Sequence, residues 1–245
     1  GQSGNTPSQN LVDAYEMIDG TPFDWNNPEH KSNPYANRDP RLAMSILTNN
    51  VEFKDRTIEA WTGGRDGKGV IHATRTGYYI YKFIDPNLDL LQNRTSVHHW
   101  VIMRYAEILL SYAEAMNEAY GPTGNVGYRL NAVRALNQVR NRVGVEMPAV
   151  PTAISKEELR EKIRNERRVE LAFEDHRFWD VRRWMIAPET LGTPLRGVEI
   201  TKISDEEFEY KPIEVEKRTF EPKMYLYPIP QADLNTTGWV QNPLW

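Results

Sequence analysis

The sequence predicts a predominantly α-helical fold: a helix hairpin and a charged third helix, wrapped by long loops and a few short strands. Three observations carry this. Apolar residues recur at three- and four-residue steps in two stretches between residues 101 and 143. A charged amphipathic stretch follows from Ser155. Proline, glycine, asparagine and aspartate punctuate both flanks of this helical heart.

In 101–119 the stripe is Ile102, Tyr105, Leu109, Tyr112, Met116 and Ala119, and Gly121-Pro122 stops the helix. In 128–143 it is Leu130, Val133, Leu136, Val139 and Val143, with Gly144 as the stop. A short connection makes the two an antiparallel hairpin. Small residues at the expected contacts (Ala106, Ala113, Ala115, Ala132) give it the dimensions of a tetratricopeptide-like unit. One such unit cannot bury its face alone, and the chain shows no second copy, so the face of Val133 and Val139 is expected to be left bare. A third helix starts at Ser155, which forms a capping-box signature with Glu158, and runs to about Phe173. A shorter one covers about 175–186, before Pro188.

The flanks are irregular. Leu11 to Ile18 and Arg41 to Leu47 predict short helical elements. Residues 51–59 and 77–84 read as strands, the second rich in aromatics, with the glycine-rich turn Gly63 to Gly69 between them. Residues 187–245 return to loops and short strands. No domain boundary is visible, and residues 1–245 are read as one unit.

Composition narrows the function classes. The 245 residues carry a net charge of -4, with no basic run, which excludes an electrostatic nucleic-acid footprint. The absence of cysteine excludes disulfides, thiolate metal sites and a cysteine nucleophile. No apolar run approaches the ~20 residues that span a bilayer. The opening Gly1-Gln2-Ser3-Gly4 has neither an initiator Met nor an apolar segment, so an export signal or lipid anchor is expected upstream.

The charged run from Arg164 to Arg183 alternates sign at helical spacing. Glu174 with Arg177 and Asp180 with Arg183 are placed to pair along a helix. A carboxylate pair for glycoside hydrolysis needs one acid with a raised pKa. Arginines this close keep both acids ionised, so the run is read as a structural ion network. Adjacent His98-His99 lacks metal-ligand spacing, and no metal or other cofactor is expected. Gly67-Lys68-Gly69 fails the phosphate-loop pattern, because Gly69 stands where Ser or Thr is needed and Thr62 where Gly is needed. It is read as a mobile turn.

Several stretches together resemble the SusD/RagB family, in the family's order. Met103-Arg104-Tyr105-Ala106-Glu107-Ile108-Leu109-Leu110 with Tyr112-Ala113-Glu114-Ala115 is similar to its hallmark helix, and Leu136-Asn137-Gln138-Val139-Arg140-Asn141-Arg142 to the next. The most specific match is Asn165-Glu166-Arg167-Arg168-Val169-Glu170-Leu171-Ala172-Phe173-Glu174 followed by His176-Arg177-Phe178-Trp179-Asp180-Val181-Arg182-Arg183-Trp184. Pro7 to Asp13, Asn37 to Leu42, Tyr225 to Pro230 and Gln241 to Trp245 also fit. Family members are about twice as long, so the chain resembles their C-terminal portion.

The resemblance implies an outer-membrane lipoprotein at the extracellular face, anchored by lipid upstream of this chain. It implies a non-enzymatic binder, used in polysaccharide utilization, that delivers oligosaccharides to a SusC-like TonB-dependent transporter. The alternatives are a peptide-binding branch of the same family, a helical-repeat scaffold and a glycoside hydrolase. Sugars are held by aromatic stacking and polar neighbours. Trp100, Trp179 and Trp184 sit in helical patterns and are read as core. That leaves Trp25, Tyr35, Trp61 and Tyr78, in or beside polar loops, with Arg65 and Asp66 close to Trp61, as candidate ligand contacts.

Overall fold

The structure, a computed structural model, describes residues 5–89, 92–97 and 100–245. Its helices are α1 (Gln9–Val12), α2 (Pro28–Ser32), α3 (Arg41–Ser45), α4 (Tyr105–Tyr120), α5 (Ala132–Arg140), α6 (Lys156–Glu170), α7 (His176–Arg183), α8 (Ala187–Thr190) and α9 (Gln231–Thr237). Its strands are β1 (Ile46–Leu47), β2 (Glu52–Phe53), β3 (Arg56–Thr57), β4 (Tyr79–Ile80), β5 (Leu195–Lys202) and β6 (Phe208–Glu216). Among the described residues no helix is long and apolar enough to cross a membrane.

The helical heart is a unit of α4, α5 and α6. Leu109, Leu110, Ala113 and Met116 of α4 pack with Val133, Leu136 and Val139 of α5, and Leu159 and Ile163 of α6 close the cluster. The face of Val133 and Val139 is therefore covered from within the chain, contrary to the expectation that it is bare. Ser155 caps α6 as its spacing predicts: its Oγ accepts from Glu158 N–H at 3.1 Å, and Glu158 Oε2 accepts from Ser155 N–H at 3.0 Å.

Helix ends differ from the periodic reading. Helix α4 begins at Tyr105, so Trp100 and Ile102 precede it and stand in solvent, 75% and 86% exposed. Its buried stripe is turned accordingly, running through Leu109, Ala113, Met116 and Asn117. Val143 lies beyond α5 and is exposed. Trp179 is also exposed, because α7 turns Asp180 and Val181 inward. Of the three tryptophans read as core, only Trp184 is covered in part: its indole N–H donates to Glu114 at 2.8 Å, and Arg183 lies 4.8 Å over its ring.

A second cluster joins the flanks. Val12 and Tyr15, Leu42, Ile46 and Leu47, Ile58, Tyr78, and Val198, Ile200 and Tyr210 form one core. Residues 51–59 turn out to hold a tight hairpin, β2–β3, while β4 pairs antiparallel with β1. The local pattern showed strand character but not this partner. The longest ladder is β5–β6, from Leu195↔Glu216 to Lys202↔Phe208. Pro212 is tolerated opposite Val198, because Val198 N–H donates away from β6, to Thr76 O at 2.9 Å. The segment Thr76-Gly77 crosses β5 at Gly197-Val198. A Cβ on Gly77 would sit 2.6 Å from Val198 Cγ1, and one on Gly197 would sit 2.8 Å from Thr76 Cα, so glycine on both sides permits the crossing.

Candidate functional site

The charged run of α6 forms a buried ion network between the two cores. Glu166 accepts from Arg41 and, at 2.8 Å, from Arg140. Glu170 accepts from Arg41 at 2.8 Å, Arg104 at 2.7 Å and Arg142 at 3.1 Å. Arg167 holds Asp180 at 2.9 Å. Asp180 also pairs with Arg183, as the spacing predicts. Glu174 does not pair with Arg177. Left-handed residues Phe173 and Asp175 break the chain between α6 and α7, and Glu174 takes Lys82 and Arg104 instead. Burial raises the Glu170 and Glu174 carboxyls. The hydrogen bonds from Arg41 and Arg104 to Glu170, and from Arg104 and Lys82 to Glu174, outweigh it and hold both below the usual carboxylate range. Neither is suited to act as a general acid at neutral pH.

His98 and His99 lie outside the described residues. Among the described residues no group of three or more His, Asp or Glu is placed to hold a metal ion.

The glycine-rich stretch is not a loose turn. Asp66 accepts from Arg56 at 2.6 and 2.7 Å and from Glu59 N–H at 3.0 Å, and Tyr79 OH donates to its carbonyl at 2.8 Å. The Arg56 hydrogen bonds hold the Asp66 carboxyl below its usual range, against the effect of burial. A Cβ at Gly67 would lie 1.9 Å from Trp61 O, so the loop folds onto the tryptophan only because that position has no side chain.

The six candidate contacts do not converge. Tyr78 is wholly buried, its hydroxyl donating to Gln9 and accepting from Tyr35 at 3.3 Å. It is therefore not an exposed contact: pairing of β4 with β1 draws the preceding tyrosine into the core. Trp25 packs edge-on to Phe23 and donates its indole N–H to Asp13 at 3.0 Å. Arg65 and Asp66 line a cleft of ≈ 620 Å³ with Phe53, Arg56, His72 and Tyr79, where Arg65 is paired with Glu59 at 3.0 Å. Trp61 packs against Phe208 with ring centroids 5.4 Å apart and planes tilted by 33°, and Lys202 Nζ lies 5.0 Å from its ring.

Tyr35 lines a cleft of ≈ 920 Å³ between the α2 segment, residues 48–51 and the tip of the β5–β6 hairpin. Tyr35, Phe208 and Tyr210 supply its aromatic surface; Asn33, Asn49 and Asn50 supply amides; Glu206, Glu207 and Glu209 supply carboxylates. Tyr35 and Tyr210 meet edge to face at 5.2 Å. Burial pushes both hydroxyls up, so they serve as neutral hydrogen-bonding groups and not as bases. Asn49 is fixed by the Ala60 N–H, which donates to its Oδ1 at 3.1 Å. Trp61 touches this cleft only from behind, through Phe208. The sequence reading missed the asparagines, Phe208 and Tyr210. Alternation on β6, which puts Phe208 and Tyr210 on one face, is the signal that was available.

Comparison with known proteins follows the same lines. The SusD family profile matches residues 1–245. SusD-like protein P2 of Formosa agariphila is 34% identical over 120 residues, 47% of this chain and 22% of that protein. A SusD-like protein of Bacteroides fragilis superposes with a TM-score of 0.79 at 32% identity, over 98% of this chain and 47% of its own. A SusD-like carbohydrate binding protein of the same organism superposes with a TM-score of 0.75 at 31% identity, over 94% of this chain and 47% of its own. The chain thus spans about half the length of these solved relatives.

Proposed function

The chain belongs to the SusD family, and from that premise we propose that it is a non-enzymatic binder that captures an oligosaccharide in the cleft at the hairpin tip. The observation that carries this reading is the lining of that cleft: three aromatic rings beside three amides and three carboxylates. Aromatic faces take the apolar C–H faces of a sugar, and amides and carboxylates take its hydroxyls. A relative that superposes over nearly the whole chain is a SusD-like carbohydrate binding protein, which supports the same substrate class. The committed, arginine-paired carboxylates of α6 support binding without bond cleavage. Delivery to a TonB-dependent transporter, and a lipid-anchored place at the extracellular face of the outer membrane, belong to this proposal as what the family likeness implies.

Calorimetric titration of the chain with a panel of neutral oligosaccharides tests the reading, alongside Asn33→Ala and Phe208→Ala. One glycan class is expected to bind, and both substitutions to weaken it, Phe208→Ala by about tenfold for a lost stacking face. Binding of oligopeptides but no glycan would replace the substrate class. Glycan binding indifferent to both substitutions would move the site elsewhere.

A further inference from the structure

A separate cleft of ≈ 550 Å³ lies where the N-terminal segment, α6, α7 and the start of β5 meet. Four guanidinium groups line it (Arg168, Arg177, Arg196 and Arg218) against two carboxylates, Asp13 and Glu189. Asp13 is already engaged by Arg196 at 2.8 Å and by the Trp25 indole. The arginines use few of their donors. Among the described residues Arg168 donates to the Asn10 carbonyl alone, and Arg218 to the Thr193 and Thr190 carbonyls alone, at 3.0 and 3.4 Å.

Arg177 is the most telling. Among the described residues its half-buried guanidinium makes no hydrogen bond and no ion pair. The acids that act on it from nearby are Asp180 and Glu161, and both are claimed elsewhere: Asp180 by Arg167 and Arg183, Glu161 by Arg164 at 2.7 Å. Elsewhere on α6 the buried Arg167 is matched to Asp180, and Arg160 and Arg164 to Glu118 and Glu161. Here four arginines line the cleft against two carboxylates, one of which, Asp13, is taken by Arg196. Burial brings the Arg168 guanidinium down to about 10, and Arg177 and Arg196 push in the same direction. A protein interior tolerates such a grouping when an anion completes it.

We propose that this cleft binds an oxyanion group, a carboxylate or a sulfate, held in the fork geometry of Arg177 and Arg168. Forked N–H donors match two oxygens of such a group at once, which a neutral sugar hydroxyl does not reproduce. The cleft is distinct from the one at the hairpin tip. It opens at Leu195 and Arg196, the beginning of β5, and the eight residues of that strand put about 25 Å between the two at ~3.3 Å per residue.

The test is calorimetric titration of this chain with sodium sulfate, with trigalacturonate and with a neutral trisaccharide. It is repeated on Arg177→Gln, which removes no hydrogen bond or ion pair among the described residues, and on Glu189→Gln, which removes an opposing charge; melting curves check that each variant folds. Saturable binding of sulfate, trigalacturonate or both is expected, weakened about tenfold by Arg177→Gln and tightened severalfold by Glu189→Gln. Sulfate alone assigns a free oxyanion, and trigalacturonate alone assigns a carboxylate borne by a saccharide. Binding of neither anion, or anion binding indifferent to both substitutions, overturns the proposal. Binding of the neutral trisaccharide alone also overturns it, and leaves the hairpin-tip reading standing.

Discussion

Replacing Glu170 with alanine should damage folding and leave any ligand chemistry untouched. Its side chain is 1% exposed and accepts from three arginines. Removal leaves them in different positions. Arg41, equally buried, keeps Asp39 and Glu166; Arg104 keeps Glu174; Arg142, at 45% side-chain exposure, loses its carboxylate partner but faces solvent and costs little. Breaking a buried pair costs about 3–5 kcal/mol, and the surviving partners of Arg41 place this case near about 3 kcal/mol. With a urea slope of about 3 kcal/mol per molar for a chain of this size, the midpoint should fall by about 1 M. Tryptophan fluorescence reads it. The pH dependence has a definite sign. The Glu170 carboxyl is held below its unfolded value, so its contribution is fully present above about pH 4.3 and is lost as pH falls through the folded pKa. The deficit of Glu170→Ala should therefore be largest at neutral pH and shrink below about pH 4. A variant with the parent's urea midpoint that has lost ligand binding would refute the structural assignment.

Ser155→Ala removes the Oγ that accepts from Glu158 N–H, leaves the backbone N–H of position 155 bonded to Glu158, and should cost about 1 kcal/mol, a fall of about 2–4 °C in Tm by calorimetry. Leu136→Ala, at the centre of the three-helix core with no exposure, should cost about 2–5 kcal/mol in the same urea assay. Gly67→Ala forces a side chain against the Trp61 carbonyl and should loosen residues 59–67, so trypsin should cut after Arg65 or Lys68 faster than in the parent. An unchanged digestion rate would show that the loop accommodates the methyl group.

Helix interiors and caps were legible because they depend on residues three or four apart. The Ser155–Glu158 box, the stripe of α5 and the break before α7 are local facts, and the structure keeps them. Helix ends were less legible: Ile102 and Val143 continue the apolar spacing but have nothing to pack against, so the helices stop short of them. Trp100 and Trp179 show the same limit, since periodicity gives a face but not the presence of a neighbour. Of the candidate contacts, Tyr35 reaches the aromatic cleft, Trp61 stands behind it, and Tyr78 is buried. Whether a loop aromatic points to solvent or core is set by strand pairs such as β1–β4, whose members lie more than thirty residues apart.

By itself the sequence determined the α-helical class, the helix hairpin, the ordered family motifs and the alternating charges of the run from Arg164 to Arg183, all consequences of short-range spacing and charge. Only the tertiary structure decided which arginines found carboxylates and which were left facing a cleft. It also decided where aromatics and amides from α2, residues 48–51 and β6 would meet. Those outcomes depend on contacts between distant segments, such as Asn10 with Arg196, 186 residues apart, which no local pattern encodes.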